Sequence, residues 1–255
     1  MKPTRPSLLI IGHGSSSSKE AEDAVLAHAL TLRQSNRFGN VLTYFLTEGA
    51  TLPVLPEGEV FILPFFMSDG FFVQEKIPSL FNLEEFERHE KNRSIYQCDA
   101  LGVDPELSTV LKAMASEASV KISKNTAEVS LVLVAHGSSK SAASADATQL
   151  QAQTLRQTTN FRSISTAFLE ETPSIGDELN RLLETKENVV CLGLFAADGP
   201  HGGDDVPNAI EETLETRAGD EGAIVYYAGV AGTRPEIVRL IQNSISRKAE
   251  NLKID

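Results

Sequence analysis

Three side chains that could bind a metal ion follow three different apolar runs in the second half of the chain. His136 comes directly after SLVLVA, Glu170 ends AFLE, and His201 lies in the loop AADGPHGGDD that follows VVCLGLF. Two imidazoles and one carboxylate suit a divalent transition metal with open coordination positions. A neutral imidazole can also accept a proton near pH 7. The pattern therefore predicts a site for metal binding and proton transfer made by these three residues.

Taken singly, each of these residues has a plainer interpretation. A lone histidine after a strand is more often structural, and Glu170 taken alone is a weak candidate, since Glu171 beside it could equally face solvent. The prediction depends on the three sharing one edge of a sheet, where open α/β folds bind their ligands. His28 and His89 fall in stretches that we predict to be helical, and we interpret both as surface histidines.

The loops around these residues are rich in glycine and serine. Gly199, Gly202 and Gly203 would let the His201 loop bring its backbone close to a bulky ligand. Serines follow each His-Gly pair, at 15–18 and 138–139, and are typical of turns and helix N-caps. The amides of Ser138 and Ser139 could also hold an anion at a helix N-terminus.

Each half of the chain alternates short β-rich runs with helical stretches. The runs are continuously apolar, which is typical of strands buried on both faces of a parallel sheet. This alternation predicts a doubly wound α/β domain. In the second half the strands are SLVLVA, SISTAFL, VVCLGLF and AIVYYAG, and the predicted helices are 141–158, 173–185, 206–217 and 235–247.

The chain also repeats itself, which predicts two domains at 1–122 and 123–255. In the first half, the stretch between the second and third strands is shorter and contains two prolines, so its helix is predicted to be truncated or lost. The positions that match Glu170 and His201 hold Thr47 and Phe72, which makes the first half a degenerate copy. The matching anchors are His13 with His136 and Phe45-Leu46 with Phe168-Leu169 at an offset of 123, Asp69-Gly70 with Asp198-Gly199 and Pro78 with Pro207 at 129, and Gly102 and Pro105 with Gly232 and Pro235 at 130.

Composition excludes several classes of partner. The chain has 255 residues and a formal net charge of −12, which argues against nucleic acid and anionic membranes as partners. Its apolar runs are strand-sized, so we expect no membrane span. Cys98 and Cys191 have no zinc or redox spacing, and Cys191 is predicted to be a buried free thiol. A cytoplasmic location is therefore expected.

The motifs together resemble the class II tetrapyrrole chelatases, most closely the sirohydrochlorin cobaltochelatases and ferrochelatases. The resemblance rests on LLIIGHGSS, LVLVAHGSS, the AFLE strand end, the loop LFAADGPHGGDDVP and the tail LGVDPEL, and it covers nearly the whole chain. It implies two tandem flavodoxin- or chelatase-like domains, each with a roughly four-stranded parallel sheet, facing across a cleft. The family's two histidines fall on His136 and His201, and its acidic metal ligand falls on Glu170.

The resemblance further implies an enzyme of cobalamin or siroheme biosynthesis that inserts Co²⁺, Fe²⁺ or Ni²⁺ as a substrate into sirohydrochlorin or a related tetrapyrrole. No organic cofactor is expected, and the protein is expected to be a monomer or a homodimer. Lys19, Lys140, Arg156 and the amides of Ser138 and Ser139 are candidates to hold the carboxylates of the tetrapyrrole.

Two other functions remain open at this point. The eroded first half is compatible with a non-catalytic carrier of a metal or a tetrapyrrole. A histidine phosphohydrolase is disfavoured, because Gly12 and Ala135 stand before the His-Gly pairs where that chemistry usually has arginine.

Overall fold

The computed structural model describes residues 5–14, 19–217 and 222–254, so the serine run at 15–18 lies outside the described residues. Strands and helices alternate throughout the second repeat, as predicted, and in most of the first. The first repeat contains β1 (Ser7–Gly12), α1 (Glu20–Gln34), β2 (Val41–Phe45), β3 (Gly58–Pro64), α2 (Ile77–Phe81), β4 (Glu87–His89), β5 (Arg93–Gln97) and α3 (Leu107–Lys121). The second repeat contains β6 (Val129–Ala135), α4 (Ala143–Thr158), β7 (Ser163–Phe168), α5 (Ile175–Glu184), β8 (Asn188–Gly193), α6 (Val206–Thr216), β9 (Val225–Val230) and α7 (Ile237–Leu252).

The strands of the second repeat form a four-stranded, all-parallel sheet in the order β7-β6-β8-β9. Every residue of the central strand β6 is buried, as its continuous apolar sequence predicts for a strand inside a parallel sheet. The strands after β6 are added on opposite sides of it, β7 on one side and β8 on the other. This change of direction is a topological switch point, and His136 and His201 come after the two strands that flank it.

The strands of the first repeat form a five-stranded sheet in the order β2-β1-β3-β5-β4. Four of its strands are parallel, as predicted, and β4 pairs with β5 in the antiparallel direction at the edge. This short edge strand was not predicted. Residues 46–57 between β2 and β3 contain no helix, which confirms that the first repeat has lost this helix.

The chain forms two compact units, and each unit contains the last helix of the other repeat. One unit comprises residues 1–104 and 235–255, and the other comprises residues 105–234. Helix α3 therefore packs in the unit of the second repeat, against β8, β9 and α4, whereas α7 packs against α1 and β3 of the first. These units cut across the domains predicted at 1–122 and 123–255, because a sequence repeat does not show on which sheet its terminal helix packs.

An ion pair connects each of these two helices to the unit in which it packs. The helix carries the positive charge in one unit and the negative charge in the other. Arg247 of α7 pairs with Asp104, whose side chain is only 3% exposed, and Glu117 of α3 pairs with Arg234 at 2.8 Å. Glu117 corresponds to Arg247 and Asp104 to Arg234, both at an offset of 130. If each helix packed on the sheet of its own repeat, Glu117 would meet Asp104 and Arg247 would meet Arg234. Because like charges repel, this pattern favours the exchanged arrangement.

One turn in each repeat requires its glycine. A Cβ atom on Gly102 would lie 2.0 Å from the carbonyl oxygen of Met67, and a Cβ atom on Gly232 would lie 2.1 Å from that of Ala196. The backbone after the last strand thus packs directly on the loop that follows the third parallel strand. This contact explains why glycine stands in both copies of the tail motif.

Several smaller predictions can be compared with the structure. His28 lies in α1 as predicted, but it is 5% exposed and packs against the ring of Phe65, so the prediction of a surface residue was wrong. The prediction that His89 lies in a helix was also wrong, because it lies in β4. Cys191 is fully buried, and burial raises the pKa of its thiol to about 12. Within the described ranges, no helix has the length and apolarity needed to cross a membrane.

The charge pattern predicts how substitutions at Glu117 affect stability. Glu117→Arg places two like charges together and is expected to lower the free energy of unfolding by about 1 kcal/mol, whereas Glu117→Gln costs less. Adding Arg234→Glu to Glu117→Arg restores an attractive pair and most of the loss. Urea unfolding of the full chain measures the effect. Losses that simply add in the double variant would show that these two side chains do not interact.

Candidate metal-binding site

His136 is the first residue after the central strand β6. Its Nδ1 lies 2.9 Å from the carbonyl oxygen of Gly137. A carbonyl oxygen only accepts hydrogen bonds, so Nδ1–H is the donor and Nε2 keeps the lone pair in the neutral ring. Gly137 has φ +75°, and a Cβ atom there would lie 2.7 Å from Cγ of Glu171. The tight His-Gly turn therefore presents the imidazole with one fixed tautomer.

The two adjacent glutamates after β7 make different contacts. Glu170 has one carboxylate oxygen 3.7 Å from Nδ1 of His136, and its side chain is 59% exposed. Its backbone N–H donates to the carbonyl of His136. Glu171 instead accepts the backbone N–H of Ser138 at 2.9 Å. Of the two carboxylates, Glu170 is therefore the one that lies beside His136 and is open to solvent.

His201 lies in a π-helical segment, Pro200–Asp205, that leads directly into α6. Its ring centroid is 4.5 Å from that of His136, and the two rings are nearly perpendicular at 87°. Its Nδ1 lies 2.8 Å from Oδ2 of Asp205. The structure thus places Glu170 and His201 each beside His136 at the carboxyl edge of the sheet. No set of three or more His, Cys, Asp or Glu side chains in the described part of the chain is already arranged as a metal site.

Tyr227 of β9 forms a hydrogen bond with the backbone of the His201 loop. Its hydroxyl donates to the carbonyl of Gly202 at 2.8 Å. Burial, followed by the nearby charge of Asp198, raises the pKa of Tyr227, so the hydroxyl stays protonated and remains a donor. Burial also raises the pKa of Asp198 itself. This contact joins the edge strand to the backbone next to His201.

The glycines of the loop serve its own packing. A Cβ atom on Gly203 would lie 2.3 Å from the carbonyl oxygen of Asp198, and one on Gly202 would lie 2.5 Å from a methyl group of Val230. At these two glycines the loop backbone lies close to other parts of the same chain. The sequence analysis had instead predicted a close approach to a bulky ligand. For Gly199, a role towards a ligand stays a prediction.

Some of the candidate groups for substrate carboxylates are engaged elsewhere. Arg156 lies in the last turn of α4 and donates to the carbonyl of Ile164, near the start of β7, so its predicted position beside the His-Gly loop was wrong. The amide of Ser138 is occupied by Glu171. Lys140 is exposed and close in sequence to His136, and its role stays a prediction, as does that of Ser139.

The matching edge of the first repeat is aromatic. His13 keeps the same bond as His136, with its Nδ1 2.8 Å from the carbonyl oxygen of Gly14. Phe72 occupies the position of His201, with its ring centroid 4.7 Å from that of His13 at an angle of 79°. Phe66 stacks on Phe72. Thr47 replaces the acidic residue and lies against Gly14. The geometry of the pair is retained, but one imidazole has become a phenyl ring.

A family model, CbiX, matches residues 7–118 and again residues 130–248. The chain belongs to the CbiX family. The resemblance to the sirohydrochlorin chelatases that the motifs indicated is thereby confirmed, and the two matches confirm the tandem repeat.

The relatives of this CbiX family member match it over different shares of their own length. A probable sirohydrochlorin cobaltochelatase from Halobacterium salinarum is 27% identical, over 89% of this chain and 86% of its own. SirB from Bacillus subtilis, solved with Fe³⁺, has a TM-score of 0.74 at 15% identity, and the match covers 98% of each chain. A multi-domain protein from Deinococcus radiodurans with structural similarity to chelatases has a TM-score of 0.79 at 20% identity. It matches 94% of this chain, which spans only 54% of that protein. These structures establish the α/β fold.

Three residues with clear contacts in the site were missing from the sequence prediction. Asp205 carried a signal, because it follows His201 by four residues and could have been recognised as its partner. Glu171 was named only as a neighbour of Glu170 that could face solvent, with no role of its own. Tyr227 carried no signal, because its partner is a backbone carbonyl on another element, which a sequence does not reveal.

The bond from Tyr227 predicts a difference between two adjacent tyrosines. Tyr227→Phe removes the donor to Gly202 and is expected to lower the free energy of unfolding by about 1 kcal/mol. Tyr226→Phe is the matched control, since its hydroxyl accepts from Lys121 at an exposed position. Urea unfolding of both variants tests this. An equal loss in the two would contradict a specific role for the Tyr227 bond.

Proposed function

We propose that this protein inserts Co²⁺ or Fe²⁺ into sirohydrochlorin or a related tetrapyrrole, using His136, Glu170 and His201 of its second repeat. The observation that carries the proposal is the pair of imidazoles at the topological switch point. Each has its Nδ1 bonded locally, to Gly137 or to Asp205, so that Nε2 is the atom left for a ligand. Membership of the CbiX family and the name of the Halobacterium relative support the choice of substrate.

The proposed ligands suit the metal. Neutral imidazole nitrogens and a carboxylate oxygen bind divalent transition metals, and three protein ligands leave positions open for water or an incoming ring nitrogen. Glu170 offsets part of the cation's charge. All three side chains are partly exposed, between 36% and 59%, so a hydrated ion can reach them from solvent.

The same imidazoles can handle the protons of the reaction. Metallation exchanges two pyrrole N–H protons for one divalent cation, and the two protons must pass to a base. When the metal passes to the pyrrole nitrogens, the Nε2 lone pairs of His136 and His201 become free, so that each imidazole can accept one of the two protons. Release of both protons to solvent returns the site to its starting state.

Single substitutions of the histidines test the assignment. In an anaerobic absorbance assay with excess sirohydrochlorin and Co²⁺ or Fe²⁺, His136→Ala and His201→Ala are each expected to lower the rate by about 100-fold or more. His13→Ala is the matched control, since His13 has the same turn geometry but faces Phe72. We expect it to leave the rate close to that of the wild type. Damage from His13→Ala alone would mean that the first repeat is the active one.

The same assay separates an enzyme from a carrier. A chelatase forms many metallated products per protein molecule, whereas a carrier of metal or tetrapyrrole gives a spectral change that stops at one equivalent. We expect multiple turnovers. A strictly stoichiometric change would overturn the enzymatic proposal and favour the carrier.

A further inference from the structure

The His201 loop is held by two contacts, one from the neighbouring strand β9 and one within the loop itself. From β9, the hydroxyl of Tyr227 donates to the carbonyl of Gly202. Within the loop itself, the carboxylate of Asp205 accepts Nδ1–H of His201 at 2.8 Å. The first contact acts on the backbone of the loop, and the second acts on the imidazole. The two repeats of the chain allow the roles of these contacts to be separated.

The backbone contact is present in both repeats. In the first repeat, Gln97 of β5 donates through Nε2 to the carbonyl of Val73 at 2.8 Å. Val73 corresponds to Gly202 at an offset of 129, and Gln97 corresponds to Tyr227 at 130. A different side chain thus makes the same bond to the same π-helical loop. Because this first-repeat loop carries Phe72, which cannot bind a metal, the bond serves the architecture of the loop.

The contact to the imidazole occurs only where there is an imidazole. Phe72 and Lys76 stand at the positions of His201 and Asp205, at the same offset of 129. The first repeat nonetheless forms a π-helical segment at this place, Phe72–Lys76, followed directly by a helix. A carboxylate at this position is therefore not needed to build the π-helical segment. The carboxylate is present in the repeat that has the histidine and absent from the repeat that has phenylalanine.

We propose that Asp205 is a positioning residue for His201: its carboxylate holds Nδ1–H, so that the imidazole keeps one orientation and offers Nε2 to the metal. The proposal rests on the function proposed above. His201 is 53% exposed, so without Asp205 its ring can rotate towards solvent and exchange tautomers. A carboxylate behind a metal-binding histidine also increases the basicity of the nitrogen that binds the metal, and losing such a partner typically costs about 10- to 100-fold in metal affinity or activity.

The neighbouring Asp204 provides a matched control. It is an exposed carboxylate in the same loop with the same charge, one residue away. If Asp205 acted only through the negative potential of the loop, Asp204→Asn and Asp205→Asn would have equal effects. Tyr227→Phe is a second control, because it weakens the backbone contact and leaves the His201–Asp205 bond in place.

The first readout is Co²⁺ binding without any tetrapyrrole, followed by the visible absorption of the bound ion. Asp205→Ala is expected to weaken Co²⁺ binding by about 10- to 100-fold and to change the intensity of the cobalt bands, Asp205→Asn to have a smaller effect, and Asp204→Asn to have none. Asp205→Asn is nearly isosteric, so it keeps the test valid if Asp205→Ala fails to fold. Binding by both Asp205 variants equal to that of Asp204→Asn would overturn the proposal.

The second readout is a double-mutant cycle in the metallation assay. Asp205→Ala is expected to lower kcat with little change in the KM for sirohydrochlorin, and to have no further effect in the His201→Ala background, since it acts through that histidine. Independent, additive effects would overturn the positioning role.

The two proposals fail in distinguishable ways. A wild-type protein that metallates no tetrapyrrole, but whose Co²⁺ affinity depends on Asp205, would retain the positioning role and refute the chelatase function. Turnover that is unchanged by Asp205→Ala and Asp205→Asn would do the opposite. Absence of any Co²⁺ or Fe²⁺ binding by the wild type would refute both.

Discussion

Parallel pairing of three neighbouring strands is the constraint on which the site depends. In the sheet of the second repeat, Ala135 of β6 pairs with Phe168 of β7, and Val134 pairs with Gly193 of β8. All three strands therefore end at nearly the same level of one edge. Glu170 and His201, which lie 34 and 65 positions after His136 in the chain, are both beside it there. His136 and Glu170 closely follow the ends of β6 and β7, and His201 is brought back to this edge by the loop after β8.

The loops then determine which atom of each side chain is available. The Gly137 carbonyl and the Asp205 carboxylate occupy the Nδ1 atoms of the two histidines, and Glu171 occupies the amide of Ser138. These local bonds leave the Nε2 atoms as the remaining ring nitrogens. The chemistry of the site thus depends on hydrogen bonds that the reacting groups make away from the substrate.

The duplicated architecture provides an internal comparison. Both repeats keep the glycine turn after the last strand and the bond from that strand to the π-helical loop, through Gln97 in one and Tyr227 in the other. They differ where chemistry is concerned, since Phe72 replaces His201. Features present in both repeats support the fold, and features present only in the second are the candidates for function. The exchanged helices follow the same logic, since reversing the charges of corresponding residues distinguishes two otherwise similar sheets.

The sequence by itself determined the fold class, the tandem repeat and the three side chains at the strand ends. These are local signals: continuous apolar runs give buried parallel strands, and a residue just after a strand lies at the sheet edge. It also showed that the first repeat had lost a helix and two polar positions. Only the tertiary structure decided the exchange of α3 and α7, the edge strand β4, the burial of His28 and the position of Arg156 at the far end of its helix. It also decided the contact of Tyr227 with Gly202. Each of these depends on contacts between residues distant in sequence, for which a single chain carries no periodic or local pattern.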